Sequence, residues 1–173
     1  MGQGLVQVYT GEGKGKTTAA IGLVVRALGQ GWRVLLVRLL KPAEPPSGEV
    51  LFLQGAERLE ILTSGQGILG PVADRAEVAA GVAATFAAAR ERILAGACDL
   101  VVFDEINNAL HRGYLEPGKV LELLKQRPSG VEVVLTGRNA PQELLRVADL
   151  VTRMEAVRHP LPQGIGARRG MEY

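Results

Sequence analysis

Val6-Gln7-Val8-Tyr9-Thr10-Gly11-Glu12-Gly13-Lys14-Gly15-Lys16-Thr17-Thr18 reads as an apolar strand running into a glycine-rich turn, after which Lys-Thr-Thr opens an amphipathic helix. A loop that holds a triphosphate requires that order. Glycines let backbone N–H groups converge without Cβ clashes, and the helix N-terminus adds partial positive charge. Lys16 is placed to reach phosphate oxygens as a point charge, and the Thr17 hydroxyl to hold Mg²⁺. The usual pattern is G-x-x-x-x-G-K-[ST]. Here Thr10 stands in place of its first glycine, and the glycines are Gly11, Gly13 and Gly15, with an extra cation at Lys14. The candidate cradle therefore runs through Thr10, Gly11, Glu12, Gly13, Lys14, Gly15, Lys16, Thr17 and Thr18, in a variant form.

Two other readings compete. A turn that binds nothing leaves two lysines close together with no anion between them to offset their repulsion. A dinucleotide fingerprint, suggested by Gly11-Glu12-Gly13, expects an acidic residue about twenty residues on to hold a ribose hydroxyl. The next strand ends instead in Arg38, Leu39, Leu40 and Lys41.

At 173 residues the chain suits one domain, 1–173, able to bury about two-thirds of its unfolded surface. Its apolar and charged fractions, 47% and 22%, are those of an ordinary soluble globular protein. A net charge of +2 is too small to argue for nucleic acid, and aromatics are too sparse for a single-strand stacking platform. Positive residues gather in the glycine loop and in a tail holding Arg153, Arg158, Arg168 and Arg169, by default a solvated one. Cys98, the lone cysteine, precedes an apolar strand and reads as a small core residue. His111 and His159 have no Cys, Asp or Glu at metal-ligand spacing and read as non-ligands. No signal peptide precedes the first strand, and the longest apolar run, Val34 to Leu40, is short and broken by Arg38. The expectation is a cytoplasmic protein with neither a membrane nor a nucleic acid as partner.

Apolar runs at Leu5–Tyr9, Val34–Leu39, Leu59–Leu62, Leu100–Phe103, Val131–Leu135 and Leu150–Met154 alternate with helical patterns. Most are continuously hydrophobic, as parallel strands covered on both faces should be. Helices are expected over Lys16–Gly29, Asp74–Ala95, Pro117–Gln126 and Pro141–Val147, with Pro117 and Pro141 suited to a first helical turn. The fold class is α/β: a doubly wound, mostly parallel sheet with right-handed crossovers and P-loop-type, RecA-like architecture. The second helix is rich in alanine (Ala76, Ala79, Ala80, Ala83, Ala84, Ala87, Ala88), which would let it lie close to the sheet or to a partner subunit. Between Lys41 and Gly70, prolines and glycines break periodicity around one short strand, so that region reads as loops over a sheet edge, where substrate contacts usually lie.

In a parallel sheet all strand C-termini share one edge, and ligands bind outside it. After the first strand comes the glycine loop, and after the second Arg38 and Lys41. After the fourth come Asp104 and Glu105, and after the fifth Thr136, Gly137 and Arg138. The simplest ligand for such an edge is a triphosphate with Mg²⁺ (or Mn²⁺), held by Thr17 with Asp104 or Glu105. A hydrophobic strand ending in Asp-Glu is the usual second half of a nucleotide site, its adjacent glutamate orienting water in hydrolases.

With those residues in view, the chain resembles the ATP:corrinoid (cob(I)alamin) adenosyltransferases built on a nucleotide-binding α/β domain. The likeness runs from Val8 through Ala20, where the family usually has Asn in place of Glu12, to Asp104-Glu105-Ile106-Asn107-Asn108-Ala109-Leu110 and Gly113-Tyr114-Leu115. It continues at Leu135-Thr136-Gly137-Arg138-Asn139-Ala140-Pro141 and Ala148-Asp149-Leu150-Val151-Thr152. It closes with Arg158-His159-Pro160, Gly164-Ile165 and Gly170-Met171-Glu172-Tyr173. The glycine loop alone is shared with many ATPases; the Leu-Thr-Gly-Arg segment and the closing run are far more specific.

The resemblance implies transfer of the 5′-deoxyadenosyl group of ATP to cobalt(I) of a corrinoid, with triphosphate leaving, by a homodimer served by a reductant protein. It also implies ATP held along the loop in the reverse sense. Lys16 and Glu105 are the candidate catalytic residues, Arg138 joins the loop in binding nucleotide, and cobalt(I) needs no protein base. Some members cover the site with an N-terminal helix, whereas this sequence opens on its first strand. Many carry Gly-Glu-Gly-Phe-x-Trp over the corrinoid; the aligned stretch is Gly65-Gln66-Gly67-Ile68-Leu69-Gly70. Loss of that aromatic pair leads to the expectation of another partner or another corrinoid. Two alternatives stay open: a nucleoside triphosphate hydrolase with Glu105 directing water, and a non-catalytic corrinoid carrier or sensor.

Overall fold

The computed structural model describes residues 2–65 and 74–171. Six strands form one parallel sheet among them: β1 (Val6–Thr10), β2 (Val34–Pro42), β3 (Leu59–Gly65), β4 (Leu100–Asp104), β5 (Glu132–Thr136) and β6 (Leu150–Arg153), in the order β3-β2-β4-β5-β1-β6. The helices are α1 (Lys16–Gly29), α2 (Gly48–Leu53), α3 (Arg75–Leu94), α4 (Ile106–His111), α5 (Pro117–Gln126) and α6 (Gln142–Val147), followed by a 3₁₀ turn at Leu161–Gln163.

The central strands are continuously apolar because they feed two cores, whereas β6 at one edge is exposed along its length. Leu35, Val37, Val101 and Phe103 point to the face covered by α3, α4, α5 and α6. Val34, Leu36, Leu100 and Val102 point to the other, against Ala20, Val24 and Ala27 of α1. Burying such side chains stabilises the fold by roughly 1.5–3 kcal/mol each. The doubly wound α/β expectation therefore holds, with every strand pair parallel. β5 lies between β1 and β4, which sets what stands between the glycine loop and the acidic strand end.

The segment after Lys41 differs from its reading as loops. β2 runs on through Pro42, α2 follows, and Leu53 of that helix is buried against the α1 core. Of the aligned corrinoid loop, Gln66 to Gly70 lie outside the described residues. In α3 the sheet is met by Val78, Val82, Phe86, Ala89 and Ile93, and most of the expected alanines are exposed. Close approach is made at Gly81 instead, where a Cβ would lie 2.8 Å from the Ser64 carbonyl oxygen. No described helix is long and apolar enough to cross a membrane.

Cys98 is a core residue as expected, and burial pushes its thiol up to about 11. A folded-state pKa raised above the unfolded one favours the neutral thiol. That contribution to stability is full below the unfolded pKa and is lost as pH rises through about 11. Iodoacetamide at about pH 8 is expected to leave folded protein unlabelled and to label denatured protein. Equal labelling rates in the two states would show that the turn between α3 and β4 opens locally.

Candidate active site

Asp104 ends β4 almost fully buried, and three elements reach its carboxylate. Oδ1 accepts from the Thr17 hydroxyl in the first turn of α1 (2.9 Å) and from the Thr136 hydroxyl at the end of β5 (2.7 Å). Oδ2 pairs with the Lys41 ammonium at 2.6 Å. Burying a carboxylate is costly unless its oxygens are paired and hydrogen-bonded in this way.

Glu105 follows in the left-handed region, φ 67, and opens α4. Its N–H donates to the same Thr136 hydroxyl at 3.0 Å. Strain of this kind, on the order of 1–3 kcal/mol, persists where surrounding structure over-determines it. Asn108, one turn on, donates to the Glu105 carboxylate and accepts from the Arg138 N–H at 2.6 Å. Asn107, wholly buried, donates to the Gly137 carbonyl at 3.3 Å. The two asparagines thus tie the acidic strand end to the loop after β5. Burial, then the neighbouring Asp104, hold the Glu105 carboxyl above its ordinary range.

The glycine loop is closed from within and clasped from outside. Lys16 donates its ammonium to the carbonyls of Gly11 (2.7 Å) and Gly13 (2.6 Å). Burial, then repulsion from Arg138, lower its pKa. Met154, just past β6, donates its N–H to the Thr10 carbonyl and accepts from the Gly13 N–H, each at 2.8 Å. A Cβ on Gly11 would lie 2.3 Å from the Met154 carbonyl oxygen, and one on Gly13 would lie 2.7 Å from the carbonyl carbon of Glu155. These two glycines therefore answer to the chain just past β6, which packs against them. Across the loop, Arg138 pairs with Glu12 at 3.3 Å, and the Lys14 ammonium donates to the Met171 carbonyl at 3.1 Å.

A cavity of about 990 Å³ opens over this arrangement, lined by the loop from Glu12 to Thr18 together with Lys41, Glu105 and Arg138. Lys16 and Glu105 therefore share one space. Thr10 and Gly11 face a smaller cavity of about 520 Å³ beyond the loop, which Glu12 also lines. The Thr10 hydroxyl accepts from the Ala140 N–H at 3.3 Å. Arg38, expected at the ligand edge, is buried and donates to the Ser47 hydroxyl before α2 at 3.1 Å. His111, His159, Arg112 and Asn108 line the main cavity without having been singled out as site residues. Their spacing matches no ligand or catalytic pattern, so the fold alone brings them there.

The oxygens of Thr17, Asp104 and Glu105 suit a hard divalent cation. Among the described residues no group of three His, Cys, Asp or Glu could hold a metal ion. A cation at Thr17 therefore has to complete its shell with water and substrate phosphates, as Mg²⁺ commonly does.

Parallel strands whose C-terminal edge carries such a cradle define a nucleotide-binding protein of the P-loop type. The family described as ATP:corrinoid adenosyltransferase BtuR/CobO/CobP matches this chain over residues 2–173. The chain belongs to that family. It is 37% identical over 171 residues to the corrinoid adenosyltransferase of Pseudomonas aeruginosa, covering 99% of this chain and 84% of that protein. The corrinoid adenosyltransferase of a Sinorhizobium species is 37% identical over 173 residues, covering 99% of this chain and 81% of its own length. That of Escherichia coli K12 is 31% identical over 171 residues, covering 99% and 86%.

Thr136→Val would strip one hydrogen-bond donor from Asp104 and the acceptor from the strained Glu105 N–H. The expected cost is about 1–3 kcal/mol, read as a lower denaturant midpoint with unchanged slope. A Thr136→Ser variant, which keeps the hydroxyl, should lose much less. A loss in Thr136→Ser larger than that in Thr136→Val would mean that methyl packing and not the hydroxyl matters.

Proposed function

We propose that the 990 Å³ cavity is where this transferase moves the 5′-deoxyadenosyl group of ATP onto cobalt(I) of a corrinoid. The observation that carries this reading is the convergence of Lys16, Thr17 and Glu105 on one cavity, with buried Asp104 hydrogen-bonded behind Thr17. Cobalt(I) attacks the 5′ carbon, the carbon–oxygen bond to the α-phosphate breaks, and triphosphate leaves with the electron pair. Cobalt(I) is itself a strong nucleophile, so the protein's work is positioning and charge stabilisation.

Lys16 and Lys14 meet the triphosphate, with the N–H groups of Gly15 and Thr17 at the start of α1 and with Arg138. Thr10, Gly11, Glu12, Gly13 and Thr18 shape the cradle around them. Thr17 and Glu105, with Asp104 behind them, hold Mg²⁺ or Mn²⁺; when bound, that ion neutralises charge on the leaving group. Glu105 is aimed by Asn108 and by its own strained backbone. The working form we propose is a cytoplasmic homodimer, each chain acting as one nucleotide-binding domain over 1–173. Cobalt(I) arises by reduction, so a separate electron donor belongs to the proposal.

Lys16→Ala is expected to lower adenosylation by about 10²–10³-fold while circular dichroism and melting stay near those of the unaltered protein. With ATP, Mg²⁺ and chemically reduced cobalamin, the unaltered protein should release triphosphate and form the cobalt–carbon absorption band. Phosphate and ADP would point to a hydrolase. Tight corrinoid binding with no new band would point to a carrier. Full turnover by Lys16→Ala would remove Lys16 from the site.

A further inference from the structure

Lys41 stands where β2 leaves regular geometry. Pairing with β3 is in register from Val34 to Arg38, then shifts before Pro42 meets Gly65. Inside that break Leu40 has φ 56, a conformation a large non-glycine residue rarely adopts. Its N–H is held by the Ser64 hydroxyl at 3.1 Å. Irregularities of this kind re-aim a side chain near functional sites. Here the side chain re-aimed is Lys41, whose ammonium lies 2.6 Å from Asp104 Oδ2. The other oxygen of that carboxylate takes the Thr17 hydroxyl, the group proposed to hold the metal. Asp104 is 2% exposed in its side chain, whereas Lys41 is 23% exposed and lines the cavity. The ammonium therefore touches the metal-site carboxylate on one side and the ligand space on the other.

A buried carboxylate left without a cation is strongly destabilising, and two cations crowded on it repel. We propose that Lys41 is a resident stand-in for the divalent cation. It neutralises Asp104 while nucleotide is absent and turns into the cavity, onto phosphate oxygens, when the metal arrives with ATP. Free metal has to displace a paired ammonium and gains nothing for it in return. Metal with ATP supplies the displaced ammonium with a new anion. The site is thus built to take metal and nucleotide together, and to refuse the metal alone.

This inference rests on the reading of Thr17, Asp104 and Glu105 as the metal site, and the test separates the two. Binding of Mn²⁺ to the full chain is followed by equilibrium dialysis, as the Mn²⁺ retained with the protein in excess of that in the protein-free compartment, with and without ATP. The unaltered protein should bind Mn²⁺ weakly alone and far more tightly with ATP. Lys41→Met should bind Mn²⁺ alone roughly tenfold or more tightly than the unaltered protein does. Its melting temperature should be lower without metal and recover when Mn²⁺ is added. Lys41→Gln, which keeps a donor, carries the same expectation if the methionine variant does not fold. ATP-dependent Mn²⁺ binding by the unaltered protein, with no gain of metal-only affinity in either folded variant, would overturn the inference alone. Failure of the unaltered protein to bind Mn²⁺ even with ATP would overturn the metal reading and this inference with it.

Discussion

The Asp104 carboxylate, shut away from water, is the constraint on which the site depends. Moving a carboxylate into a protein interior costs several kcal/mol even after relaxation. That cost is offset here by an ammonium and two hydroxyls, from β2, α1 and β5. The sheet order makes this feasible: β5 lies between β1 and β4, so Thr136 falls between the glycine loop and the acidic strand end. A shift of α1 along the sheet would strip one hydrogen bond from a buried charge. The loop's position is thereby fixed before any ligand arrives, which is the condition for preorganised charge stabilisation.

The loop itself is held as firmly on its far side. Met154 bonds it through both backbone groups, and Gly11 and Gly13 are pressed so close to Met154 and Glu155 that no side chain fits. The departure from the common loop pattern thus has a structural cause. Where the first glycine is expected, Thr10 carries a hydroxyl that ties Ala140. Extra glycines beyond it admit the strand that closes over them.

Much of this was legible in the residues, and the misses have physical reasons. Each of the six expected runs overlaps a strand of the sheet; burial on two faces writes the long runs of the central strands, while β6 is apolar at Leu150 and Val151 though exposed. The glycine turn and the Asp-Glu end were legible because they combine local order with a definite side-chain chemistry. α2 and α4 were not: six residues make less than two turns and leave little periodicity to read, and neither has at its N-cap the proline that marks the equally short α6. Lys41 was placed at the edge only as one of several cations; its aim depends on a strand irregularity that residue types do not encode. Met154 meets the loop across more than a hundred residues of chain, through backbone groups that leave no side-chain signature. The exposed alanines of α3 show the converse: a conspicuous composition can sit largely on a face that the described residues leave exposed.

Four cations of the site each have a protein oxygen as partner, and the partners differ in kind. Lys16 and Lys14 donate to neutral carbonyls, Arg138 faces an exposed carboxylate, and Lys41 a buried one. Opposite charges attract more strongly where water is excluded, so the exposed Glu12–Arg138 pair holds weakly and the Asp104–Lys41 pair firmly. A polyphosphate presents full charges to groups that otherwise share partial ones. On the reading proposed above, Lys16 on its carbonyls exchanges partners more readily than Arg138, and Lys41 only when another cation takes its place on Asp104. Charge and burial thus grade the cations from a loosely held pair at the exposed rim to a firmly held one on the buried floor, the order in which the proposed polyphosphate and metal would have to displace them.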